Sequence, residues 1–102
     1  MDKQYFVYIV ASKTRRTYIG ITSNLEQRIW QHRHRIADGH TKRYHKHRLV
    51  WFEAYPMVDD AIAREKQLKR WSAAKKATLI ERGNPDWTDL AEDWFGEEEP
   101  DS

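Results

Sequence analysis

The sequence predicts an α/β protein of the α+β type: a small central antiparallel sheet of three strands flanked by helices, in the order β-β-α-β-α-α. Three observations predict it. Two runs rich in β-branched and aromatic residues, Tyr5 to Ala11 and Thr17 to Thr22, lie on either side of a polar cluster, Ser12 to Arg16. A run with helical spacing and a capping signal follows the second of them. A third apolar run, Arg48 to Tyr55, then leads into two more helical segments.

The first two runs read as a hairpin. Side chains alternate between faces along a strand, so Phe6, Tyr8 and Val10 share one face, and Tyr18, Gly20 and Thr22 share one on the partner. A turn centred near Lys13 or Thr14 sets even positions opposite even ones, with Tyr8 and Tyr18 directly opposite or on a diagonal. Gly20 is expected to leave an open space beside them where a substrate backbone can approach. A one-residue slip would undo this arrangement. In the helix that follows, Ser23 and Glu26 have the spacing of a capping box, which puts the first turn at Asn24. Leu25, Ile29, His32 and Ile36 form an inward stripe, and Arg28, four residues before His32, shares with it a face turned toward the sheet.

The segment Ala37 to Lys46, with Asp38-Gly39, reads as an exposed loop. The Val50-Trp51-Phe52 centre of the third strand is apolar on both faces, which suits the middle of a sheet covered on both sides; Pro56 ends the strand. Val58 to Trp71 reads as a helix with Asp59 and Asp60 at its positive end and an inward stripe of Val58, Ala61 or Ile62, Glu65, Leu68 and Trp71. A carboxylate in such a stripe costs several kcal/mol if ionised and unpaired, so Glu65 needs a neighbouring Arg or Lys, a hydrogen-bond cluster or a cation. A helix from Ala73 to Glu81 with Gly83 as its cap follows, then a turn at Asn84-Pro85-Asp86-Trp87. Thr88 is read as the cap of a last short helix reaching Trp94. Residues 1–95 are expected to be a single domain, and 96–102 an acidic, disordered tail.

Composition narrows the class. At 102 residues with 39% hydrophobic content, a compact single core is expected and bulk disorder is excluded. With no cysteine, disulfides and thiolate metal sites are excluded. No apolar run approaches the roughly 18 residues of a membrane span and no signal pattern opens the chain, so a cytoplasmic location is the default. The net charge of +2 hides an asymmetry: the eight acidic residues from Asp86 onward have no Lys or Arg among them, leaving eighteen basic against eight acidic residues before them. Lys13 to Arg48 holds ten of those basic residues and all five histidines against two acids, a footprint suited to a polyanion. Lys13, Arg15, Arg16, Arg33, Arg35, Lys42, Arg43 and Lys46 are its candidate polyanion contacts. The other reading of such a segment is a solvated basic face.

Taken together, Phe6-Val7-Tyr8, Tyr18-Ile19-Gly20, Arg28 and His32 at ten and fourteen residues beyond Tyr18, Glu65 on a later helix and Asn84 after it resemble the GIY-YIG nuclease family. The likeness runs from about Gln4 to Leu90 and is nearest to small stand-alone bacterial members similar to the amino-terminal domain of the excinuclease C subunit. Phe6-Val7 stands where the family name has Gly-Ile, which keeps the tyrosine. The resemblance implies a metal-dependent endonuclease acting on DNA, with Tyr8 as general base or water-orienting group. A phenol titrates near 10, so Tyr8 is expected to be acidified by Arg28 and a metal. The same resemblance gives Tyr18 the water or scissile phosphate, Arg28 the phosphate clamp, and His32 a second phosphate contact or proton relay. Glu65 would carry one divalent cation, Mg²⁺ with Mn²⁺ as the alternative, and Asn84 would orient the site, although Asn-Pro is also an ordinary turn signal. A homodimer or a protein partner is expected to supply specificity. A catalytically weak binding module of the same fold, and an RNA-binding protein, are the competing readings.

Overall fold

The computed structural model describes residues 3–34 and 48–95. Its elements are β1 (Tyr5–Ala11), β2 (Thr17–Thr22), α1 (Leu25–Arg33), β3 (Arg48–Tyr55), α2 (Val58–Lys69) and α3 (Ala73–Gly83), an α+β fold in the expected order. The predicted loop at 37–46 and the acidic tail lie outside the described residues. No helix among the described residues is long and apolar enough to cross a membrane.

The sheet is antiparallel throughout, in the order β2-β1-β3. The middle strand is therefore β1, and not β3 as its apolar centre had suggested. Val7, Ile9 and Ala11 are buried on one face against Ile19, Val50, Ala61 of α2, Leu68 of α2 and Ile80 of α3. Tyr8 and Val10 are buried on the other against Leu25 and Ile29 of α1, with Leu49 and Ala91. Helices on both faces make β1 apolar at every position from Val7 to Val10, whereas β3 is deeply buried only at Leu49 and Val50. The rest of β3 lies at the edge, where Phe52 is partly exposed.

The start of β3 has its outer side covered by the chain beyond α3. Leu90 N–H donates to the Leu49 carbonyl at 2.8 Å, Leu49 N–H donates to Asp89 Oδ1 at 3.1 Å, and the Asn84 amide donates to the Val50 carbonyl at 3.2 Å. These bonds satisfy an edge that would otherwise present unpaired backbone.

Three helix boundaries differ from the sequence reading. The cap of α1 is Asn24, whose Oδ1 accepts from Gln27 N–H at 3.1 Å, while Thr22 Oγ1 accepts from Asn24 N–H. The Thr22 contact turns the chain one residue later, so Ser23 and Glu26 form no capping box and Glu26 sits in the first turn, where its charge suits the dipole. Helix α2 stops at Lys69, because Ser72 caps α3 by accepting from Lys75 N–H. Gly83 remains inside α3, with Asn84 as the cap at φ −147°. The expected helix from Thr88 to Trp94 is instead a run of turns: Thr88 spends its hydroxyl and N–H on Asn84 Oδ1 rather than on capping a helix.

Candidate active site

The register pairs Tyr8 with Gly20 and Val10 with Tyr18, so the two tyrosines are diagonal neighbours with ring centroids 6.5 Å apart. Gly20 does not open the space expected of it. An added Cβ there would fall 2.5 Å from Tyr8 Cζ and 2.9 Å from Cε2, so the glycine exists to let the Tyr8 ring lie flat across β2. Tyr8 is fully buried, whereas Tyr18 on the edge strand is 52% exposed.

Helix α1 crosses above this pair. Its buried residues Leu25 and Ile29 seat it on the sheet, and the next positions around bring Arg28 and His32 to the tyrosines. His32 Nε2 lies 3.1 Å from the Tyr8 hydroxyl, and the imidazole stands 5.7 Å from the Tyr8 ring and 5.4 Å from that of Tyr18. The three rings thus pack against one another, one buried, one half-buried and one open to solvent. The positive charge of the Arg28 guanidinium acts on the Tyr8 hydroxyl and favours its ionised form.

Glu65 comes from the far side of the sheet. Ala61 and Leu68 mark the buried stripe of α2, and residues 64 and 65 flank it on opposite sides. Arg64 Nε donates to Glu53 Oε1 on β3 at 3.1 Å, so Glu65 is on the flank turned toward β2, the strand across which Tyr8 lies. Its negative charge is felt at the Tyr8 hydroxyl. The carboxylate is only 16% exposed, and its Oε2 is 3.1 Å from Lys69 Nζ, one helical turn on.

The electrostatics of Tyr8 differ from the expected acidified phenol. Burial pushes its pKa up to about 12; Arg28 pulls it down, and Tyr18 and Glu65 add to the rise. At neutral pH Tyr8 is a neutral phenol. Its hydroxyl lies within hydrogen-bond reach of His32, whose Nε2 accepts the proton in the tautomer protonated at Nδ1.

Asn84 does not join this cluster. It is buried beside β3, on the opposite side of β1 from Tyr18. Its amide donates to the carbonyls of Val50 and Thr88, and its Oδ1 accepts from the Thr88 N–H and hydroxyl. That fills its hydrogen-bonding capacity within the fold. Arg33 is likewise held inside: it pairs with Asp89 at 2.6 Å, donates to the Ala91 carbonyl and lies over the Phe95 ring. Arg15, in the left-handed region at φ 67°, has its guanidinium 4.7 Å above the buried Trp87 ring. Lys13 and Arg16 are exposed at the hairpin end; Arg35, Lys42, Arg43 and Lys46 lie outside the described residues. Sequence reasoning left Glu65 a neighbouring Arg or Lys among its possible partners without naming Lys69, for which the four-residue step was the available signal. It missed Asp89, for which nothing local pointed to a partner 56 residues away.

Comparison with known proteins identifies the family. The model of the GIY-YIG catalytic domain matches residues 4–78. A UPF0213 protein of Staphylococcus saprophyticus is 35% identical over 83 residues, covering 81% of this chain and the whole of that one. A UPF0213 protein of Haloquadratum walsbyi is 30% identical over 83 residues, covering 81% and 93%. The solution NMR structure of a UPF0213 protein from Bacillus halodurans superposes with a TM-score of 0.55 at 26% identity, over 82% of this chain and 89% of that one. The match of one domain model across about three quarters of the chain, and the relative 35% identical over its whole length, leave a plain conclusion: the chain belongs to the GIY-YIG catalytic domain family, alongside the UPF0213 proteins.

Proposed function

We propose that the chain is a metal-dependent endonuclease that hydrolyses DNA phosphodiester bonds, of the kind used in repair or recombination. The observation that carries the reading is the meeting of Tyr8, Tyr18, Arg28 and His32 within one ring cluster, with the Glu65 charge acting on it.

Phosphodiester hydrolysis needs an oriented water, charge stabilisation on the phosphoryl oxygens and a path for the proton. Tyr18, on the open edge, orients the water or the scissile phosphate. Arg28 offers a planar fork of donors to the phosphoryl oxygens, where negative charge develops. Tyr8 passes the proton of the attacking water inward: as its hydroxyl accepts that proton, its own moves to His32 Nε2, 3.1 Å away. A relay of this kind suits a phenol held near 12, which ionises too rarely at neutral pH to act alone.

Among the described residues no group of three or more metal-ligating side chains converges, and Glu65 supplies the single carboxylate at the cluster. One carboxylate completed by water and phosphate oxygens is a donor set that fits Mg²⁺, with Mn²⁺ able to replace it. Bound there, the cation would acidify water and neutralise charge on the phosphate. The exposed Lys13 and Arg16 contribute sequence-independent phosphate contacts, and choice among DNA structures is assigned to a second copy of the chain or a protein partner, in the cytoplasm.

The test is a Mg²⁺-dependent nicking assay with the parent chain beside Tyr8→Phe, Arg28→Ala and Glu65→Ala. Cutting by the parent with a loss of about 100-fold or more in each variant is expected. Equal cutting by all four would identify a contaminant. Salt-sensitive DNA binding without any cutting would replace the enzyme with a binding module of the same fold.

A further inference from the structure

We infer that Lys69 is a positioning residue, an internal counter-ion that occupies Glu65 until DNA draws it away, so that cation and DNA load together. The inference rests on Glu65 being the cation's ligand.

The two ends of the pair are unlike. The Glu65 side chain is 16% exposed and its charge reaches the Tyr8 hydroxyl, whereas the Lys69 side chain is 55% exposed at the end of a flexible stem. A Glu–Lys pair one turn apart on an open helix surface leaves both partners hydrated. Here the acid is largely withdrawn from water and needs a positive partner. Glu65 forms an ion pair with Lys69, whose ammonium lies 3.1 Å from Oε2 and supplies that positive charge.

A divalent cation approaching that oxygen meets a like charge already in contact with it. Cation entry therefore requires Lys69 to swing out, and its exposed stem can do so without disturbing α2. A DNA backbone drawn to the cluster offers the ammonium competing anionic partners. Phosphate arrival thus clears Glu65, and cation binding in turn frees Lys69 for phosphate. Thermodynamic linkage makes the coupling reciprocal: DNA must tighten the cation by the same factor that the cation tightens DNA.

The experiment titrates Mn²⁺ into the whole chain and reads water-proton relaxation, with and without a short DNA duplex. All proteins carry Tyr8→Phe to prevent cutting, and circular dichroism confirms folding. Adding Lys69→Met is expected to tighten Mn²⁺ binding in the absence of DNA by about two- to fivefold at low salt, the scale of one such pair. DNA is expected to tighten Mn²⁺ further when Lys69 is present and by a clearly smaller factor in its absence. Identical Mn²⁺ affinities with and without Lys69→Met would overturn the counter-ion role while leaving Glu65 as a ligand. Unchanged Mn²⁺ binding in Glu65→Gln would instead remove the cation site, and this inference with it.

Discussion

A single side chain, Tyr8, sets the chemistry available to this fold. Burial raises its pKa to about 12, and burial followed by a hydrogen bond to Glu53 does the same for Tyr55. Both phenols are therefore expected to ionise late in an absorbance titration, well after an ordinary tyrosine near 10, and Tyr8→Phe should remove one late step. Folding favours the neutral phenol in each case. The resulting stabilisation is complete below the ordinary value, about 10, and is lost as pH climbs through about 12. Thermal unfolding across that window should show the decline, and a flat profile would argue against buried Tyr8. Gly20 is tied to the same ring. Gly20→Ala places a methyl where Tyr8 already lies, so it should cost about 1–3 kcal/mol in denaturant unfolding and displace Tyr8 from His32.

Between elements, the segment after α3 acts as a strap across the start of β3. Asn84→Ala would orphan the Val50 carbonyl and the carbonyl, N–H and hydroxyl of Thr88, and should destabilise by about 2–4 kcal/mol, read from urea midpoints. A catalytic asparagine would lose turnover at unchanged stability, so the two measurements separate the roles. Arg33→Ala leaves Asp89 without its guanidinium in a partly buried setting. The expected cost is about 1–3 kcal/mol, with the slope of DNA affinity against salt unchanged. A reduced slope at unchanged stability would return Arg33 to the DNA-contacting surface.

At the scale of the molecule, two helical layers on a three-stranded sheet bring the proposed catalytic groups to the β2 edge, and the basic hairpin end is exposed. Affinity for DNA should fall steeply with salt. Lys13→Ala is expected to lower the slope of log affinity against log salt by about 0.9, the contribution of one phosphate contact. No change in slope would take the hairpin out of the interface.

The sequence by itself determined the three strands, whose limits follow from alternating apolar and β-branched residues, and the face shared by Tyr8 and Tyr18, which follows from hairpin parity. It also determined that Arg28 and His32 lie together on one helical face, because such spacings are local. Tertiary structure alone decided which strand is central, where the Tyr8 ring rests, and what Asn84, Arg33 and Glu65 touch. Those outcomes depend on which surfaces are left after the sheet pairs and the helices settle. Burial shows this most directly: the charges that should acidify Tyr8 were legible in the chain, but the desolvation that outweighs them appears only when α1 closes over the sheet.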